Sequence, residues 1–334
     1  MRSSGPMDVL RRRMLLGAGA GLAVSIVPFS TRHAHAQGLS ERPVRIILAQ
    51  TAGTTPDVLA RTLAPRLQAR RNQPFVVENR PGASGAIGME AVAKAPPDGH
   101  TIRINTSNEM SIGLFYKVSF DVLTDFTPIT LLGNTIFALV CHPSVPAANV
   151  REFIAWARPR GAEVNYGSPG NNTFHHIAME QLKLQTGLKM THIPYKGSAP
   201  AFTDLLGGRL SAMFLPMGVA LNMAKGGKVR MLGGSTRERS PLTPDVPSLH
   251  ETGLTGFDAE VWFGVWGPRG LPADIVDKYN ADIRAVLAEP QVREVLAKQG
   301  VSVRTSTPQE LGRLAKTEYD ALAKLVREAN IKGD

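Results

Sequence analysis

Backbone amides, hydroxyls and side-chain amides gather in four strand-to-helix loops, and together they have the chemistry to hold a carboxylate. The first loop is Gln50-Thr51-Ala52-Gly53-Thr54-Thr55-Pro56. Thr55 is placed to cap the following helix, with Pro56 at its first position, where a missing N–H costs nothing. The N–H groups of Ala52, Gly53 and Thr54 are then available to an anion at the helix start. An ordinary strand-to-helix turn is the competing reading. The second loop, Asn105-Thr106-Ser107-Asn108, offers two hydroxyls and two amides, and Glu109 follows it. The third runs from Gly167 to Thr173 and supplies Ser168, Asn171 and Thr173, although Ser and Thr there can equally cap a helix. The fourth is Pro194-Tyr195-Lys196-Gly197-Ser198, where Lys196 reads as a solvated charge.

Sets of residues that make enzymes are missing. There is no Gly-x-Ser-x-Gly, no Gly-x4-Gly-Lys-Ser/Thr and no His-Glu-x-x-His. Gly17-Ala18-Gly19-Ala20-Gly21 imitates a nucleotide fingerprint but sits in an N-terminal apolar segment, away from any strand. His175 and His176 are adjacent on a helical pattern and point in different directions, so they do not form a metal pair. Cys141 is the only cysteine and lies in an apolar run, as a small buried hydrophobe does. No metal or cofactor is expected. A hydrolase using Ser168 or Ser107 is the alternative, but the sequence shows no evident histidine partner for either.

Those loops need strands and helices to hold them. Val44–Ala49, Phe75–Val77 and Thr101–Ile104 read as strands, with helical patterns at Asp57–Leu67 and Ala86–Lys94 between them. The alternation resumes with helices near Val150–Ala157, Phe174–Thr186 and Ala199–Leu206 and strands at Val164–Tyr166, Met190–Ile193 and Ala212–Phe214. Long helices at Pro272–Leu287 and Pro308–Asn330 close the chain. Such alternation predicts β-α-β units and mostly parallel sheet. Two extended stretches, Phe126–Pro143 and Phe257–Pro268, are placed to carry the chain out of one lobe and back, as in a hinged clamshell. The expected division is one lobe from 42–138 with 259–334, and a second lobe from 139–258.

The N-terminus reads as an export signal over residues 1–36. Adjacent arginines at 11–13 precede an apolar stretch from Met14 to Phe29, and Ala34-His35-Ala36 supplies a small-residue cleavage site. The Arg-Arg-x-Met-Leu order also suits the twin-arginine route. Export places the protein in the periplasm. The segment holds Arg2, Arg11, Arg12, Arg13 and Arg32 against Asp8, so six of the ten net positive charges belong to the remainder. They are dispersed, with no basic run of the kind that binds nucleic acid. No second apolar stretch is long enough to span a membrane.

Asn79-Arg80-Pro81-Gly82-Ala83, with Gly85 and Gly88, resembles a signature of the Bug family, the extracytoplasmic receptors of tripartite tricarboxylate transporters. The resemblance continues in order through Ala95–Gly99, Pro143–Pro146, Pro194–Ala201 and Asp204–Gly208. It continues in Arg239–Leu242, Pro244–Pro247 and Glu251–Leu254, and runs from about residue 42 to the C-terminus. It implies an α/β type 2 periplasmic-binding-protein fold, with two lobes joined by crossing strands. It also implies a small organic carboxylate in the cleft, held by amides, hydroxyls and water, and delivered to a membrane permease. A sensor subunit docking a membrane kinase is the other role open to the family, and the monomer is the expected state. The chain departs from the family pattern in the first loop, usually Pro-Phe-x-x-Gly-Gly, where Gln50 replaces the aromatic residue and Thr54 the second glycine. Leu215 follows Met213-Phe214 where the family often has Asp. Glu109 stands where small or hydroxyl residues are common, and it either faces the cleft or is a solvated helix-start residue. Gln50, Leu215 and a cleft-facing Glu109 predict monocarboxylates with an apolar, aromatic or amino-bearing body over citrate-like acids.

Overall fold

A computed structural model describes residues 42–329 and residue 331; the segment read as an export signal lies outside the described residues. The chain begins with β1 (Val44–Leu48), α1 (Thr55–Arg71), β2 (Phe75–Asn79), α2 (Ala86–Ala93) and β3 (Thr101–Thr106). A 3-10 segment, Ser107–Leu114, leads to β4 (Phe126–Thr135) and β5 (Phe137–Cys141). Next come α3 (Val150–Ala157), β6 (Asn165–Ser168), α4 (Phe174–Thr186), β7 (Thr191–Pro194) and α5 (Ser198–Leu206). Then β8 (Ala212–Pro216), α6 (Met217–Lys225) and β9 (Arg230–Gly234) precede β10 (Val261–Pro268). The chain ends with α7 (Ala273–Ala288), α8 (Pro290–Lys298), β11 (Val301–Val303) and α9 (Pro308–Glu328).

Two sheets form. One has the order β11-β4-β10-β3-β1-β2 and the other β7-β6-β8-β5-β9. The period of two along β1 explains the layering. Val44, Ile46 and Leu48 join Leu59, Leu63 and Leu67 of α1 in one core cluster. Ile47 points to the opposite face, where Met89 and Val92 of α2, Trp262 and Trp266 pack. Each such buried aliphatic side chain contributes about 1.5–3 kcal/mol. No helix among the described residues is long and apolar enough to cross a membrane.

The expectation of mostly parallel sheet needs correction. β1 runs parallel to β2 and β3, and β6 parallel to β7 and β8. However, β10 is antiparallel to β3 and β4, β11 to β4, and β5 to β8 and β9. The antiparallel pairs are those built on the extended stretches that pass between the sheets and on short β11. The β-α-β pattern is blind to them. Helix α8 was likewise not anticipated between the two terminal helices; Pro290 opens it from a first-turn position where proline fits.

Ser235 ties the two passages together. Its N–H donates to Phe137 O at 2.8 Å, and its Oγ accepts from Phe137 N at 3.2 Å. Its Oγ donates to Ala259 O at 2.6 Å, while Ala259 N donates back to Ser235 O at 2.9 Å. β4 lies in the first sheet and β5 in the second, so this buried serine stands where the chain changes sheets.

Candidate functional site

A groove of about 980 Å³ is lined by residues attached to both sheets. Ser107 and Asn108 come from the 3-10 segment, Asn172 and Phe174 from the start of α4, Asn134 from the end of β4 and Ile136 from the passage between β4 and β5. Of the side chains proposed from sequence, Ser107 lines it. Asn172, which does so too, was overlooked between Asn171 and Thr173. A non-glycine residue in a Gly-Asn-Asn turn was the available signal, since Asn tolerates left-handed backbone.

The first loop differs from its sequence reading in two ways. Thr54, not Thr55, is the N-cap of α1, with φ −79° and ψ 163°. The Gly53 N–H is already taken: it donates to Asp57 Oδ2 at 3.0 Å. Asp57 also accepts from Arg61 Nε at 3.0 Å and Asn79 Nδ2 at 3.0 Å, which hold its carboxyl below the ordinary value, Arg61 most strongly. Asn79 donates in addition to Gln50 O at 3.1 Å. What remains for an anion is the N–H of Ala52, on an exposed turn, and that of Thr54.

The glycines of the Asn79–Gly88 signature allow α2 to approach this loop. A Cβ on Gly88 would lie 2.9 Å from Ala49 Cα and 3.1 Å from Arg80 O. A Cβ on Gly85, where φ is 99°, would lie 3.3 Å from Ala49 Cβ and 3.5 Å from Glu109 Cγ. Larger residues would push the helix off the loop and off Glu109.

Glu109 neither faces the groove nor is solvated. It is 5% exposed and pairs with Arg103 Nη2 at 2.6 Å, Arg103 itself being 2% exposed. Its carboxylate also accepts from Gln50 Nε2 and from the Thr106 N–H at 3.3 Å, closing a capping box with Thr106. Burial raises the Glu109 carboxyl from its ordinary value, opposed by Arg103 and Thr106. Gln50 is therefore a bridge from the first loop to this ion pair rather than a cleft wall. Leu215 is likewise corrected. It is fully buried and packs with Ile136, Ala138 and Val140 in a core cluster. Glu109, Gln50 and Leu215 therefore do not disfavour di- and tricarboxylates in the groove.

The third loop holds a pairing the sequence concealed. Ser168 Oγ lies 2.7 Å from His192 Nε2, 24 positions away and on the neighbouring strand. It is not a nucleophile–base pair. Ser168 is fully buried, accepts from Gly170 N at 3.2 Å and lies 2.8 Å from Gly170 O. All partners are satisfied when His192 Nε2–H donates to Oγ and Oγ–H donates to Gly170 O. Burial, then His176 and Lys183, pull His192 down to about 3, too weak a base to take a serine proton near neutrality. Ser168 is a staple for the loop. Thr173 Oγ1 donates to the same Gly170 O at 2.8 Å, and Thr173 is the N-cap of α4. Among the described residues Ser107 makes no hydrogen bond to a histidine.

Carboxylates crowd the far wall of the groove. Glu260 accepts from Asn134 Nδ2 and from Arg304 Nη1 at 3.2 Å, and burial raises it from its ordinary value. Glu318 of α9 accepts from Trp262 Nε1 at 2.5 Å. Among the described residues no group of His, Cys, Asp and Glu is arranged to hold a metal ion. Cys141 is buried, which pushes its thiol up to about 11 and leaves it unreactive.

Residues 59–331 match the TctC family, the tripartite tricarboxylate transporter family receptor. The fold matches that of the periplasmic binding protein BugD, which is 30% identical, with a TM-score of 0.70 over 88% of this chain and 99% of that one. Rpa4515 of R. palustris, solved with adipate, is 33% identical, with a TM-score of 0.74 over 88% and 99% of the two chains. MatC of Rhodopseudomonas palustris, solved with bound malate, is 28% identical, with a TM-score of 0.68 over 85% and 99%. The chain belongs to the tripartite tricarboxylate transporter receptor family and has the two-lobed α/β fold of periplasmic binding proteins.

Proposed function

We propose that this protein captures a small organic carboxylate in the groove between its sheets, without chemical turnover, and delivers it to a tripartite tricarboxylate-type permease after export to the periplasm. The observation that carries the reading is that two similar chains were solved with carboxylates, adipate and malate. The lobes are residues 42–138 with 259–334, and residues 139–258, closing about the passages tied by Ser235. The anion is taken by two helix N-termini that favour negative charge: the start of α4, which lines the groove, and the Ala52 and Thr54 amides at the start of α1, which lie outside that lining. The working unit is a monomer and needs no cofactor.

Calorimetry with adipate, malate, succinate and an aromatic monocarboxylate tests this. One-to-one binding is expected, with the acid recovered unaltered; a chemically changed acid would refute the receptor reading. Thr54→Pro then probes the cradle. The φ of −79° accepts proline, so the fold should persist while one N–H is lost. The expected loss of carboxylate affinity is about 1.5–3 kcal/mol. Unchanged affinity in a folded variant would move the anion away from this loop.

A further inference from the structure

Asn172 and His175 present four polar atoms that the rest of the chain does not answer. Oδ1 and Nδ2 of Asn172 and both ring nitrogens of His175 are shielded from solvent and have no hydrogen-bond partner. Buried polar atoms in folded proteins nearly always have one, so four at a single helix start call for an explanation. Asn172 stands just before Thr173, the N-cap of α4, and His175 is in the first turn of that helix.

The backbone at Asn172 sharpens the point. Its φ is 60°, left-handed, where glycine would sit without strain. The turn therefore does not need this side chain, yet it carries one, and the loop is built to fix it. The Asn172 N–H donates to His176 Nδ1 at 3.2 Å. The His176 ring stacks on His192 at 4.0 Å with an interplanar angle of 8°, and His192 holds Ser168 of the same loop. Asn172 lines the same groove as Ser107 and Asn108. His175 stands edge-on to Phe137, 5.1 Å away, at the passage between the sheets.

The chemistry on offer is specific. An amide presents one group that donates and one that accepts. Burial keeps His175 neutral near pH 7, so its ring also presents one donor and one acceptor. A bare carboxylate only accepts, and would leave Asn172 Oδ1 unanswered. A hydroxyl beside the carboxylate donates as well. We infer that Asn172 reads a hydroxyl on the ligand, so that the acid this groove prefers is a hydroxycarboxylate. This rests on the carboxylate-receptor reading above.

The test is calorimetry with pairs of acids that differ by one hydroxyl, malate against succinate and 2-hydroxybutyrate against butyrate, with adipate as a further carboxylate. Wild type is expected to bind the hydroxylated member of at least one pair tenfold or more tightly. Asn172→Gly, which the left-handed backbone accepts, should lose most of that preference while its ligand-free melting temperature holds or rises. A preference that survives Asn172→Gly overturns the inference, as does equal binding of both members by wild type. Should wild type bind none of these acids, adipate included, the receptor reading itself falls and takes this inference with it.

Discussion

Glu109→Ala is expected to remove about 3–5 kcal/mol of folding stability, because it leaves the Arg103 guanidinium buried without a counter-charge. Arg103 cannot escape by losing its proton. It is almost fully enclosed; among the described residues its other terminal nitrogen Nη1 lacks a partner, and the Phe126 ring lies 4.9 Å from the guanidinium carbon. The same substitution frees Gln50 and breaks the capping box at Thr106, so the first and second loops loosen together. Removing both charges should be far milder. Arg103→Met with Glu109→Leu replaces the pair by apolar groups, and exchanges of that kind are often neutral. Denaturant unfolding of wild type, the single variant and the double variant gives the comparison, provided the slope of the transition is unchanged. A single variant within about 1 kcal/mol of wild type would mean that the pair is not closed in solution as it is in this structure.

Sequence patterns reveal whatever repeats locally. The periods of α1, α3, α4 and α9 and the alternation along β1 locate those elements within a few residues, because each buries one face. The ordered glycine and proline motifs carry the family, and Gly85 and Gly88 show the physical need behind two of them. What escaped depends on partners distant in sequence. Glu109 looks like a cleft charge until the fold brings Arg103 and Gln50 to it. Leu215 looks like a pocket wall until β8 is placed in the middle of the second sheet. Ser168 lacks a histidine until β6 and β7 pair and set His192 beside it. The amide of Gly53 looks free because nothing in the loop announces that Asp57, four residues on, turns back to accept it.

The contribution of Glu318 to stability should fall as pH rises from about 4.5 to about 7, against an opposite slope from the buried His175 and His192, which stay neutral where the unfolded chain is protonated. Burial pushes its carboxyl up to about 7 from an ordinary 4.5; the Trp262 bond opposes this, the negative Glu260 and Asp258 add to it, and Arg304 opposes it. The native state thus holds a proton that the unfolded chain has released throughout that window. Unfolding then releases a proton, so this contribution drops as pH climbs and levels off above the native value. At about 1.4 kcal/mol per pH unit the ceiling is about 3 kcal/mol, and partial exposure of this half-buried side chain brings the real figure below it. Glu318→Gln removes the titration and keeps an oxygen to accept from Trp262 Nε1. The variant should match wild type at pH 4 and exceed it by about 2–3 kcal/mol at pH 8. Glu260 is raised by burial too and adds a slope of the same sign, but it titrates in both proteins and cancels in the difference. Unfolding both proteins at a series of pH values yields that difference directly. A gap that stays constant from pH 4 to pH 8 would show that Glu318 is ionised in the native protein and that the crowded wall of the groove carries its full negative charge.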